Sequence, residues 1–298
     1  MTSHRQKPLI PWLLIALFII VSAVSIILGY LYYRSQKARL LADKKLDLSA
    51  IADLKVRQIA QWRNERLSDA FLVGENTAFL DQLKAFLVKP GDVATGKKII
   101  ESFSSIVKNS EYRNIQLIDS AGKLILHYPS RDSMPAEQLK NSFPQLVRLD
   151  APALTDLYKQ NSVSRPYLEL IIPLRHARLN DSPASGILAI RIDPDQVLYP
   201  LIHSWPVSSK TAESLLVREE NDEVIYLNDL RFRKNSGLLL RMKTSVENLP
   251  AAMAVRGIEE ATEGIDYRGS SVVAVMKKVP GSSWYMVAKV DHNEVFTA

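Results

Sequence analysis

The sequence predicts an α+β chain: an N-terminal transmembrane helix, a long stalk helix, and two tandem modules with antiparallel sheets. Three observations carry this expectation. Pro8 to Tyr33 contains no charged residue. Gln36 to Val73 contains neither Pro nor Gly. One phrase is written twice, as ILAIRIDPDQVL (Ile187 to Leu198) and as YMVAKVDHNEVF (Tyr285 to Phe296). With Asp193 laid over Asp291, each copy runs from apolar alternation to a base (Arg191, Lys289), then Ile or Val, then Asp.

Residues 1–8 read as a short cytoplasmic tail and 9–33 as the transmembrane helix. Some 20 helical residues cross the ~30 Å hydrocarbon core. Trp12 at one end and Tyr30, Tyr32 and Tyr33 at the other suit the two interfaces. A cleaved signal peptide is the rival. Its apolar core is shorter and ends in a small-residue site, whereas here tyrosines stand at that place. The membrane is therefore an expected partner.

The formal charge of +6 is local. Residues 1–45 hold seven bases (Arg5, Lys7, Arg34, Lys37, Arg39, Lys44, Lys45) against Asp43 alone, and the remaining 31 bases and 31 acids cancel. A nucleic-acid partner needs a basic folded face, so none is expected. Two bases precede the apolar run and five follow it, which by the positive-inside rule puts the modules in the cytoplasm. Long downstream domains, however, translocate largely regardless of flanking charge. Charge alone leaves the orientation open.

Residues 36–90 are expected to hold the stalk and linker helices. Leu41, Leu48, Ile51, Ile59, Trp62, Ala70 and Val73 make one helical stripe, and Gly74 is placed as its C-terminal cap. The stripe serves either a homodimer or packing on the chain's own modules. Within it, Arg66 can pair with Asp69 and stack on Trp62. The segment reads as a solvated charged face with one buried Trp, the rival being Arg63 or Arg66 on a ligand. Ala78 to Val88 is a second helix, broken by Lys89-Pro90-Gly91, and helical spacing resumes over Lys97 to Val107.

The membrane-distal module (91–205) changes to a period of two. Ile115 to Pro129 is strand, turn, strand, with the turn at Ser120-Ala121-Gly122. Helix follows over Ala136 to Leu149, then strands Tyr167 to Arg175 and Gly186 to Ile192, joined by a polar connection from His176 to Ser185. Asp193-Pro194 then opens a short helix. The membrane-proximal module (206–298) repeats the order. It has a hairpin over Ser214 to Asn228 turning at Glu220-Asn221-Asp222, helix over Leu249 to Glu260, and a hairpin turning at Val279-Pro280-Gly281-Ser282. Matching positions lie 98 residues apart (Asp193, Asp291) or 100 (Ile115, Leu215).

Catalysis within the chain is not expected. There is no cysteine, and His4, His127, His176, His203 and His292 show no metal-ligand spacing. No Gly-x-Ser-x-Gly elbow and no phosphate-cradling loop occur. No metal and no cofactor is predicted. Two alternatives from other classes remain: a membrane-anchored hydrolase, and a ligand-free dimerisation protein.

An anchor, a long helix and two PAS-like α+β modules resemble the double Cache sensor domain, the extracytoplasmic part of many bacterial histidine kinases, diguanylate cyclases and chemoreceptors. GIDYRGSSVVAVMKKVPGSSWYMVAKVDHNEVF is similar to the membrane-proximal module of such receptors, and QIAQWRNERLSDAF to the stalk of a branch attached to histidine kinases. The resemblance spans about 36–298. It implies a periplasmic bulk on a bacterial inner membrane, a small molecule bound in the distal module, and a chain continuing past Ala298 into a second membrane helix and an output module. It also implies where the ligand sits. Tyr167 matches the Pro-Tyr start of a pocket strand, with Arg165 beside it. Amino-acid receptors of this type usually place an Asp five residues after the Gly that is here Gly186, and this chain has Arg191 instead. The expected ligand is therefore an anion such as a carboxylate, gripped by Arg165 or Arg191 with Tyr167 or Tyr128 alongside.

Overall fold

One helix, α1 (Ile10–Glu75), carries both the apolar run and the stalk. The computed structural model describes residues 10–108, 111–129, 137–159, 165–175 and 183–297. The proposed tail 1–8, the helix start at Ala136 and residues 176–182 of the polar connection lie outside them. With 66 residues, α1 is about 100 Å long at 1.5 Å per residue. Trp12, Phe18 and Ile26 are 76, 72 and 72 % exposed, so little among the described residues covers them. Among the described residues this is the helix long and apolar enough to cross a membrane.

The stalk stripe is buried on the chain's own modules: Leu48, Ile51, Ile59, Trp62 and Ala70 are all in the core. Gly74 is not a cap, because the helix runs through it to Glu75 and Asn76 caps the next one, accepting from the Phe79 amide. Arg63 and Arg66 are buried too, not on a solvated face. Arg66 pairs with Asp69 (3.4 Å), as its spacing allows, and with Glu111 (2.7 Å); its guanidinium lies over Tyr112, not Trp62.

Helices α2 (Thr77–Val88) and α3 (Val93–Val107) lead into the distal sheet. Asp92 starts α3 four residues before the expected point by accepting from the Ala94 and Thr95 amides. The sheet is built from β1 (Tyr112–Asp119), β2 (Leu124–Tyr128), β3 (Ala153–Leu154), β4 (Tyr158–Lys159), β5 (Pro166–Pro173) and β6 (Gly186–Ile192). Its order is β2-β1-β6-β5-β3, with β4 also on β5 and all pairs antiparallel. Gly122 takes φ +81° in the β1–β2 turn, a conformation that favours glycine. Helix α4 (Glu137–Leu146) covers one face.

Asp193 accepts from the Asp195 amide, closing a turn, and α5 (Leu198–His203) begins only after it. The proximal sheet follows: β7 (Glu213–Glu220), β8 (Glu223–Tyr226), β9 (Arg241–Lys243), β10 (Ala261–Ile265), β11 (Ser271–Lys278) and β12 (Tyr285–Asp291), in the order β10-β11-β12-β7-β8-β9. Asn221 and Asp222, both at positive φ, turn β7 into β8. The helix expected over Leu249 to Glu260 is α6 (Pro250–Val255), and the chain then enters β10. A last short helix, α7 (His292–Val295), ends the described chain. Laid over each other, β2-β1-β6-β5 and β8-β7-β12-β11 have the same neighbours, so the repeated phrase is the same central strand of two like sheets.

Candidate ligand-binding site

β6 lies between β1 and β5, with Asn114 opposite Arg191 on one side and Glu169 opposite it on the other. Strand alternation sends successive side chains to opposite faces. Leu188, Ile190 and Ile192 point to the stalk and share its core with Ile59 and Trp62. Ile187, Ala189 and Arg191 take the other face, beneath α4, where Ile118, Phe143, Tyr158 and Ile171 gather. Asn114, Gln116 and Glu169 fall on that face by the same alternation, each fully buried.

Polar groups buried this deeply need partners. Arg191 Nε donates to Glu169 Oε1 at 2.8 Å, and the Tyr158 hydroxyl donates to the same oxygen. The guanidinium carbon lies 5.0 Å from the centre of the Tyr167 ring. Burial, the largest single influence, would lower the Arg191 pKa, but the Glu169 charge together with the Tyr158 oxygen and the hydrogen bonds to both raises it, and the group is held cationic. Burial, and then the Glu169 charge, push the Tyr158 hydroxyl up, so it remains a donor. Arg191 Nη2, Glu169 Oε2 and both amide atoms of Gln116 find no hydrogen-bond partner among the described residues.

The proximal copy differs at the equivalent place. Lys289 Nζ sits 2.8 Å from Glu213 and 2.7 Å from Asp266. The Tyr267 hydroxyl donates to Glu213, and Arg268 donates to Asp266 and Asp291. No polar atom of Lys289, Glu213 or Asp266 is among the buried atoms lacking a partner. The proximal module closes this position with its own side chains; the distal one leaves donor and acceptor valences unused.

Of the four residues predicted at the site, the structure brings Arg191 and Tyr167 together. Arg165 is 64 % exposed and lies 3.7 Å from Asp195. Tyr128 is opposite Ile115 in the β1–β2 ladder, so it lies on the stalk face, where its hydroxyl is 3.2 Å from Ser104. Glu169, Gln116 and Tyr158 were not predicted. The signal for Glu169 was a lone acid in the apolar strand YLELIIP, since a charge buried in such a strand must be paired.

No family model matches the chain, and no curated protein matches it. Solved structures do. The ligand-binding domain of the Pseudomonas aeruginosa PAO1 amino acid chemoreceptor PctB, in complex with L-Arg, aligns with a TM-score of 0.54 at 14 % identity, over 86 % of this chain and 99 % of that one. The extracellular domain of vpHK1S-Z8, assigned as a histidine kinase, gives 0.58 at 14 % over 87 and 95 %. A domain from Vibrio parahaemolyticus, assigned to a sensory box/GGDEF family protein, gives 0.56 at 14 % over 87 and 100 %. At these identities the likeness is one of fold. The chain has the architecture of the double Cache sensor domain: two tandem PAS-like sheets behind one long helix.

Proposed function

We propose that this chain is the sensory input region of a membrane-bound receptor whose distal module binds a small zwitterion, its carboxylate on Arg191 and its ammonium on Glu169. The carrying observation is the pair of unused valences, Arg191 Nη2 and Glu169 Oε2, on one buried ion pair. A guanidinium suits a carboxylate. The acid missing from the position of Arg191 is supplied by Glu169, directly across the strand pair. A dicarboxylate would instead set a second anion against Glu169. PctB in complex with L-Arg and PctC in complex with GABA, both domains of this fold, support an amino-acid-like ligand. The bulk of the chain is periplasmic in this reading, held by α1 in a bacterial inner membrane. Two copies meet along the outward face of α1, which exposes Leu46, Leu54 and Phe71. The output is a histidine kinase before a diguanylate cyclase or a chemoreceptor, and the catalysis lies outside this chain.

The test is a thermal-shift screen of the full chain in detergent against amino acids, amines, and mono- and dicarboxylates. A ligand at a hundred times its Kd adds about 2.7 kcal/mol. Amino acids should raise the melting temperature, and Arg191→Ala and Glu169→Gln should each abolish the shift. A response to dicarboxylates alone would remove Glu169 from the site. No response at all would return the chain to a ligand-free assembly role.

A further inference from the structure

Edge strands β3 and β4 pair with the same strand, β5, but out of step. Leu154 is opposite Leu170 and Tyr158 opposite Tyr167, so Thr155, Asp156 and Leu157 bulge against Leu168 and Glu169. A bulge bends its strand and re-aims its side chains. Here three consecutive residues reach three different bodies. The Tyr158 hydroxyl is on Glu169, within the candidate site. Leu157 is fully buried in the core shared with the stalk and the proximal module, the cluster that also holds Leu216 and Trp284, and its carbonyl accepts from Arg218 at 3.0 Å. Asp156 accepts from the Trp284 indole at 2.6 Å and from the Ser283 hydroxyl at 3.1 Å.

The contacts continue into α1. Arg63 donates to the Gly281 carbonyl at 2.9 Å and lies 4.6 Å over the Trp284 ring. Trp284 is fully buried, so withdrawal of Asp156 would leave its N–H without an acceptor, a penalty the hairpin relieves only by moving. At the other end, Thr155 clamps the bulge to the backbone of Glu169, accepting from its amide (2.8 Å) and donating its own amide to its carbonyl (2.9 Å).

We propose that the bulge Thr155–Leu157 is the link that carries the state of the distal site to the β11–β12 hairpin and to the stalk. It rests on the reading of Glu169 as a ligand-binding group. A cation drawing on Glu169 Oε2 re-aims the carboxylate that holds Tyr158, and the bulge shifts Asp156 against Trp284. Such coupling requires a contiguous physical connection, and these contacts supply one.

The test needs no ligand. Hydrogen exchange is followed on the full chain in detergent micelles for the wild type, Tyr158→Phe, Asp156→Asn and Trp284→Phe. Tyr158→Phe removes the hydroxyl at the site, and exchange should rise several-fold over Val279–Trp284 and around Arg63, with α6 (Pro250–Val255) unchanged. Trp284→Phe should loosen 153–159 in return. Faster exchange at 153–159 with Val279–Trp284 unmoved would overturn the link, as would a uniform rise that includes Pro250–Val255. Should Tyr158→Phe fail to fold, Asp156→Asn serves: faster exchange at both the hairpin and the Glu169 amide supports the link, and change at neither or only one overturns it. A screen in which nothing binds would sink the ligand reading without touching these exchange rates, so the two failures are distinguishable.

Discussion

Arg191 and Glu169 each make the other's burial tolerable, so removing one should cost more than removing both. Arg191→Ala should destabilise by about 3–5 kcal/mol, because Glu169 is left as an uncompensated buried charge. Replacing the pair together, Arg191→Met with Glu169→Leu, should recover most of that in a denaturant titration. A double variant as unstable as the single one would refute this account. Lys55 is another buried cation, donating to the Leu201 carbonyl and the Ser204 hydroxyl at 2.5 Å each, with no carboxylate in ion-pair range among the described residues. Burial lowers it to about 8. Below that pH the ammonium is charged in both states and the fold carries its desolvation. Between about 8 and ~10.4 the unfolded chain holds the extra proton, so stability rises with pH. The melting temperature of the wild type should therefore gain on that of Lys55→Met across this window; parallel profiles would disprove it. At this scale the sequence showed which charges sit on apolar strands, as with Arg191. It did not show which face Tyr128 takes, because a cross-strand register decides that.

At the scale of elements, Gly186 opens β6 where a Cβ would meet the Ile118 carbonyl oxygen at 2.3 Å and Leu87 Cδ1 at 2.9 Å. Backbone oxygen cannot step aside. Gly186→Ala should cost about 1–3 kcal/mol, whereas Gly91→Ala, with nothing within 4 Å, should change the denaturation midpoint little. Equal effects would show that the close approach does not matter. The long strands were legible because alternation repeats several times in each. Pairs such as β3 and β4 are too short to show a period. β10, only partly buried and interrupted by Gly264, begins just past the helix expected to end at Glu260 and was not read as a strand of its own. Gly74 misled for a related reason: a glycine ends a helix only where the backbone turns, and here the helix continues and Gly74 packs near Ile172 and Pro152.

For the whole molecule, one core joins the three parts. Ile59 and Trp62 of the stalk, Leu170 and Ile190 of the distal sheet, and Leu216 and Met286 of the proximal sheet belong to a single cluster. The two modules should accordingly unfold in one cooperative transition by calorimetry; two resolved peaks would show them to be independent. The duplicated phrase made the tandem legible in the sequence. The seams between the copies and against the stalk were not, because they depend on single pairs such as Asp156 with Trp284 and Arg63 with Gly281, 128 and 218 residues apart.

The unbroken course of α1 has a geometric consequence. The modules first grip it at Lys37, over Phe296, and at Leu41, only a few residues beyond Tyr33. Each helical residue advances about 100° in azimuth and 1.5 Å in height. One residue inserted between Arg34 and Gln36 would therefore turn the lipid-facing half by roughly a quarter of a circle at almost constant height. Seven would restore its bearing to within about 20° while displacing it by some 10 Å. Rotation and translation of the membrane half are thus separately adjustable through the residue count of one short exposed stretch.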